Sequence, residues 1–324
     1  MEMRANRGVK RSCQLEFRLT PLAAALGMML AGSEAGAATF SWNCSGTNNW
    51  ATTSCWSPAS VPGVSDSVYL SPVGGSTTVT FDAASGNRIG SYFVLGHSNS
   101  TGTITFGQTA SNLTVSANQI VGNSGNAILN QSAGNNSAGA IYVGNASTAV
   151  GSYNLSGGAV TSAQTRVGYY GAGSFVNSGG AHSGSTMDLG VYSGAAGSYT
   201  VSGTGTTTMT ASLFVGNYGS GTFTQAGGTT NINSWTYFGY APTGQGTMTL
   251  SGGTFNSAGM TVGLNGSGSV TNTGGSNRII NNRDLIVGAA ASGSYTLSNG
   301  SLSTNNEIVG YGSNGTFHQL SGTH

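Results

Sequence analysis

The sequence predicts an all-β protein, a right-handed parallel β-helix (β-solenoid) of about ten coils with a tryptophan-rich N-terminal cap. Three observations carry that prediction. First, a glycine preceded by an apolar residue recurs with a period near 24 residues, at Gly96, Gly122, Gly144, Gly168, Gly190, Gly216, Gly239, Gly263, Gly288 and Gly310. Repeats of that length belong to solenoids, propellers or arrays. Second, the residues before those glycines are Leu95, Val121, Val143, Val167, Leu189, Val215, Phe238, Val262, Val287 and Val309. All are apolar and all are expected to face one core ladder. Third, no stretch beyond the N-terminal leader has a helical apolar period, and 55 glycines in 324 residues would weaken any helix.

The first element, residues 1–37, reads as a secretory signal. Arg4, Arg7, Lys10, Arg11 and Arg18 precede the apolar run Leu19 to Ala31, and Ala35-Gly36-Ala37 supplies small residues for cleavage after Ala37 or Ala38. The run is shorter than the ~20 residues that a membrane-spanning helix needs. Removing it leaves four arginines (Arg88, Arg166, Arg278, Arg283) against Asp66, Asp82, Asp188, Asp284 and Glu307, with no lysine. Nucleic acid and anionic membranes both demand a patch of cations, so neither is an expected partner, and no membrane insertion is expected.

The second element, residues 38–88, is the expected cap. It holds Trp42, Trp50 and Trp56 and the only cysteines left after cleavage, Cys44 and Cys55. An even pair in an exported chain predicts a disulfide, contributing roughly 2–3 kcal/mol. Two thiols without a nearby histidine are too few for a metal site.

The third element, residues 89–324, is the repeat. Apolar residues alternate with mixed ones before each glycine, as in a strand with one buried face. A Gly-Ser-aromatic segment follows ("GSYNLSGG" at 151, "GSFVNSGG" at 173, "GSYTVSGT" at 197), and then a Thr-, Ser- and Asn-rich stretch leads to the next glycine pair. One unit cannot fold alone. Ordering its backbone costs on the order of 24 kcal/mol, whereas three or four buried apolar side chains return roughly 2 kcal/mol each. Stacking lets each coil bond to its neighbours on both sides. Propeller blades need about 40 residues, longer than this unit, and a disordered linker has no reason to repeat an apolar column.

Catalytic chemistry is poorly supplied. Asp284 and Glu307 fall in adjacent units but at positions of opposite parity, and His97, His182, His318 and His324 occupy unrelated columns. Arg166 and Asp188 occupy one column and are expected to form an exposed surface ion pair. The feature above background is an aromatic stripe. Tyr170, Tyr192 and Tyr218 stand two residues after their glycines in successive units, flanked by Tyr169 and Tyr240, with Phe214 and Tyr237 in the outward column. Such a stripe suits sugar rings or a protein partner, with self-stacking for stability as the competing account.

The basic leader, the "NW", "CWSP" and "VPG" start with Asp66 following, and the repeated "VGNYGSGTFTQAGG" unit together resemble the passenger regions of bacterial autotransporters and related exported β-helix proteins. The likeness covers nearly the whole chain. It implies export to a Gram-negative cell surface or the medium, normally through a C-terminal β-barrel, and roles in adhesion or aggregation. No barrel pattern precedes His324, and the chain stops within its tenth unit, so it reads as a fragment. The expectation is a non-catalytic surface rod without cofactor or metal, meeting glycans, a host or neighbouring cell surface, or copies of itself. The alternatives are a polysaccharide-acting enzyme and a purely structural matrix component.

Overall fold

The computed structural model describes residues 37–98 and 101–324, and the expected signal sequence lies outside the described residues apart from Ala37. The unit from Ala37 to His324 is an all-β parallel solenoid of about 12 coils. From Gly96 onward each coil carries one strand segment ending at the apolar-glycine pair, a second after the turn that follows it, and a third that leads to the next pair. Equivalent segments pair in parallel with the next coil. In the first ladder Leu95 sits beside Val121, Val121 beside Val143, Val143 beside Val167, and Val167 beside Leu189.

Two coils more are present than the glycine pairs count. Thr39–Trp42 pairs in parallel with Asp66–Leu70, which pairs with Arg88–Leu95, while Gly46–Asn49 pairs with Thr77–Phe81 and that strand with Thr103–Gln108. Residues 38–88 are therefore two full coils with a seal on top. Coils are numbered 1 to 12 in chain order below, so that Gly96 closes the first strand of coil 3 and Gly310 that of coil 12.

The seal is made where the chain turns back. Trp56–Ser57 pairs antiparallel with Thr39–Trp42, setting Trp42 against Trp56. The rings of Trp42 and Trp50 meet Trp56 edge-on at 4.8 and 4.6 Å, and Trp50 continues onto Phe81 at 5.4 Å and Phe106 at 6.0 Å. The Cys44–Cys55 disulfide, with Cα atoms 5.0 Å apart, ties this cover down. Asp66 holds the start of coil 1, its carboxylate accepting the Ala38 and Gly63 amides at 2.8 and 2.7 Å. Large rings and a covalent clip thus occlude the strand edge that would otherwise be open to pairing.

The nine ladder residues from Leu95 to Val287 are fully buried, whereas Val309 is 44 % exposed. Val309 keeps the ladder register, paired with Val287, in the last coil of the described residues. Behind this ladder runs a second, aromatic one. Tyr153, Phe175 and Tyr199 stack at 4.5 and 5.0 Å with interplanar angles of 9° and 23°, and Phe223 follows at 5.6 Å. A third column alternates apolar with amide side chains, in the order Gln131, Leu155, Asn177, Val201, Gln225, Leu250, Asn272 and Leu297. The buried amides bond to backbone, as Gln131 Nε2 does to the carbonyls of Gly134 and of Ala159 one coil on, at 2.9 and 3.0 Å. The amide nitrogens thus tie a turn to the coil that follows, and Gln131 Oε1 also accepts the Tyr153 hydroxyl, so most of the polar atoms inside the rod are paired.

Glycine is required where the chain leaves the first strand and enters the second. Gly168 has φ +67°, which side-chain-bearing residues seldom adopt. Gly197 has no such need, but a Cβ there would overlap the carbonyl of Val167 one coil below. This corner is too tight for any side chain, and that closeness sets the outer loops and their tyrosines in register.

Candidate functional site

The outward column of the first strand is continuous in register: Tyr142 beside Arg166, Arg166 beside Asp188, Asp188 beside Phe214, and Phe214 beside Tyr237. Alternation places these side chains outside because their neighbours on either side point into the core. The loops just beyond the glycines carry Tyr169, Tyr170, Tyr192, Tyr218 and Tyr240 on the same side. The structure gathers the expected stripe into two clusters with Tyr218 between them.

In the first cluster Tyr170 and Tyr192 are stacked, centroids 4.2 Å apart and planes within 4°. Tyr169 meets both edge-on at 4.9 and 5.0 Å and meets Tyr142 at 4.9 Å. In the second, Phe214 stacks on Tyr237 at 5.4 Å and meets Tyr240 edge-on at 4.8 Å. Trp235 extends this group, stacked on Tyr237 at 6.1 Å, with the Arg283 guanidinium 5.7 Å from its ring. Tyr170, Tyr192 and Tyr218 are exposed, at 46, 38 and 49 %. Trp235 shares the parity of Tyr237 but escapes a search for repeated columns, because its register partner one coil on is Gly259.

The expected surface ion pair does not form. Arg166 and Asp188 are register partners, but no nitrogen-oxygen contact within 4.0 Å joins them. Arg166 Nη1 instead donates to the Tyr142 hydroxyl at 2.8 Å, and the guanidinium lies over the Tyr142 and Tyr169 rings at 5.4 and 5.5 Å. Asp188 is buried and accepts from Asn217 Nδ2 at 3.1 Å. Burial raises its carboxyl above the usual range, and Arg166 offsets part of that rise. Two aromatic faces and a phenol oxygen compete successfully for the guanidinium because a cation keeps favourable contacts on a ring face.

The hydroxyls of this cluster are linked. Tyr169 and Tyr192 oxygens lie 3.5 Å apart. Hydrogen bonds from Tyr169 and Tyr170 favour the Tyr192 phenolate and lower its pKa, while the bond to Tyr192 and partial burial push Tyr169 up to about 12.

Beside the tyrosines a shallow trough runs along the axis. Three adjoining depressions of about 210, 310 and 320 Å³ share rim residues, Val150 between the first two and Ala196 and Ser220 between the second and third. They extend from Thr103 in coil 3 to Gln245 in coil 9, about 29 Å at the spacing of adjacent strands. A register row of hydroxyls, Ser152, Ser174, Ser198 and Thr222, lines the first two depressions, and Tyr218 lines the third. No charged residue lines it.

Elsewhere the titratable groups are dispersed. Asp284 accepts from Asn306 at 2.9 Å, and Glu307 meets His324 at 3.1 Å. His182 lies inside the rod, bonded to the hydroxyls of Thr165 at 3.0 Å and Tyr199 at 2.8 Å, and burial lowers its pKa to about 3. Among the described residues no three of His, Cys, Asp or Glu converge as metal ligands. Comparison with family models, curated proteins and solved structures finds no match.

Proposed function

We propose that this chain is a non-catalytic, exported β-solenoid of the autotransporter-passenger kind, displayed on a Gram-negative cell surface or released from it, that adheres to glycans through its tyrosine-lined side. One observation carries the reading: an exposed aromatic row stands beside an uncharged, hydroxyl-walled trough that follows the rod axis. Sugars are recognised by ring faces and by short hydroxyl bonds, and a trough running across successive coils accommodates an extended chain rather than a compact molecule. The basic leader and the cysteine pair support export. The carboxylates that glycoside hydrolysis requires as a facing pair are missing from the trough lining.

The test is retention of the purified chain from residue 38 onward on immobilised neutral polysaccharides (xylan, β-glucan, chitin) and on polygalacturonate, with product analysis in parallel. Retention on a neutral chain without new reducing ends supports the reading. Release of reducing ends establishes the enzyme instead, and failure to bind any glycan or cell surface leaves the structural matrix role.

A further inference from the structure

The structure assigns Tyr170 and Tyr192 as a site of oxidative cross-linking, a dityrosine bridge joining coil 6 to coil 7 on the outside of the rod. The pair belongs to consecutive coils, each two residues past its turn glycine, and its rings lie face to face at 4.2 Å and 4°. Both rings are exposed, so a diffusing oxidant reaches them, and the stack already sets the ring carbons of one phenol over those of the other.

Geometry also makes the pair selective. Tyr169 meets Tyr142, Tyr170 and Tyr192 at 83°, 80° and 82°, and Tyr237 meets Tyr240 at 67°, so none of these pairs sets one phenol face against the other. The buried phenols stack on phenylalanine, Tyr153 on Phe175, Tyr199 on Phe175 and Phe223, and Tyr295 on Phe317. Among the described residues Tyr170–Tyr192 is thus the one stacked pair in which both rings are phenols. Tyr169, in ring contact with both members, and Tyr142, in contact with Tyr169, can pass an oxidising equivalent on to it. The favoured Tyr192 phenolate eases the first electron loss.

The step balances as follows. A one-electron oxidant, here a haem peroxidase turning over hydrogen peroxide, removes one electron and the phenolic proton from each tyrosine. The two radicals join at ring carbons ortho to the oxygens. Each joined carbon then gives up its hydrogen, which restores the aromatic ring and returns a proton to its phenol oxygen. One carbon-carbon bond forms, two carbon-hydrogen bonds break, and the two electrons and two protons released reduce one peroxide to two waters.

The chain from residue 38 onward, at dilution that keeps it monomeric, is treated with horseradish peroxidase and hydrogen peroxide, with free tyrosine confirming oxidant competence. The expected result is dityrosine fluorescence in the monomer and a dominant cross-linked peptide joining Tyr170 to Tyr192. That product is lost in Tyr170→Phe and Tyr192→Phe, retained in Tyr218→Phe and Tyr237→Phe, and lost from wild type unfolded in guanidinium. Circular dichroism checks that each variant keeps its strands. The inference is overturned if the folded wild type forms no such bridge, if it forms bridges between other tyrosines in equal yield, or if the Tyr192→Phe product is unchanged.

Discussion

His182 Nδ1 lies 2.8 Å from the Tyr199 hydroxyl, one coil apart and wholly inside the rod. Tyr199 passes the contact on to Thr207 at 2.8 Å, and Thr165 closes the other ring nitrogen at 3.0 Å. The imidazole is neutral there, since burial lowers its pKa from 6.5 to about 3. In the unfolded chain it takes up a proton near pH 6.5. Its contribution to stability is therefore complete above that pH and is lost as pH falls towards 3. The expected slope is about 1.4 kcal/mol per pH unit across that window. Denaturant titrations at pH 7, 6 and 5 measure it, and His182→Asn, which cannot titrate, is expected to flatten the slope while lowering stability at pH 7.

The glycine corner gives a paired prediction. Gly197→Ala places a methyl group against the Val167 carbonyl and is expected to cost about 3 kcal/mol or more, in the upper range of single substitutions. Gly107→Ala meets nothing within 4 Å and is expected to stay within about 0.5 kcal/mol of wild type. Equal losses in thermal melts of the two variants would contradict the close approach of successive coils at Gly197.

Phe175 is stacked between Tyr153 and Tyr199 and lies 4.8 Å from the His182 ring. Phe175→Ala is expected to lose about 3–5 kcal/mol by opening a cavity in the aromatic ladder. Tyr170→Ala, with the side chain outside, is expected to lose less than about 1 kcal/mol. Chemical denaturation of both variants separates core from surface stacking.

The Cys44–Cys55 bridge closes an 11-residue separation over the seal of coil 1. Replacing both residues with serine is expected to cost roughly 2–3 kcal/mol. Amide exchange should locate the loss in coils 1 and 2, with coils 6 to 9 unchanged. A uniform loss of protection along the rod would show that the seal governs the whole unit.

The ladder from Leu95 to Val287 and its parallel register were legible because the glycine corner admits one residue type and fixes the period. Coils 1 and 2 escaped because their first strands end in Trp42-Asn43 and Leu70-Ser71, without the glycine, although the alternation around Phe40 and Val68 is the same. The buried Gln131, Asn177 and His182 were hidden for another reason: their partners are backbone carbonyls and hydroxyls one coil away, and composition carries no trace of such bonds. Alternation likewise gave the side on which Arg166 emerges but not its partner. A long guanidinium chooses among neighbours by π contact and acceptor geometry, and Tyr142 and Tyr169 held it where Asp188 was expected to.

On the proposed function, the tyrosine side serves recognition while the coils carry the stability. The direct measurement is the triple variant Tyr170→Ser, Tyr192→Ser, Tyr218→Ser, assayed for both denaturation midpoint and attachment to neutral polysaccharide and to cells. The expected result is a midpoint close to wild type and attachment lost by at least about tenfold, a change equivalent to about 1.4 kcal/mol of binding free energy. Attachment retained at wild-type strength, or a midpoint collapse matching that of Phe175→Ala, would contradict it.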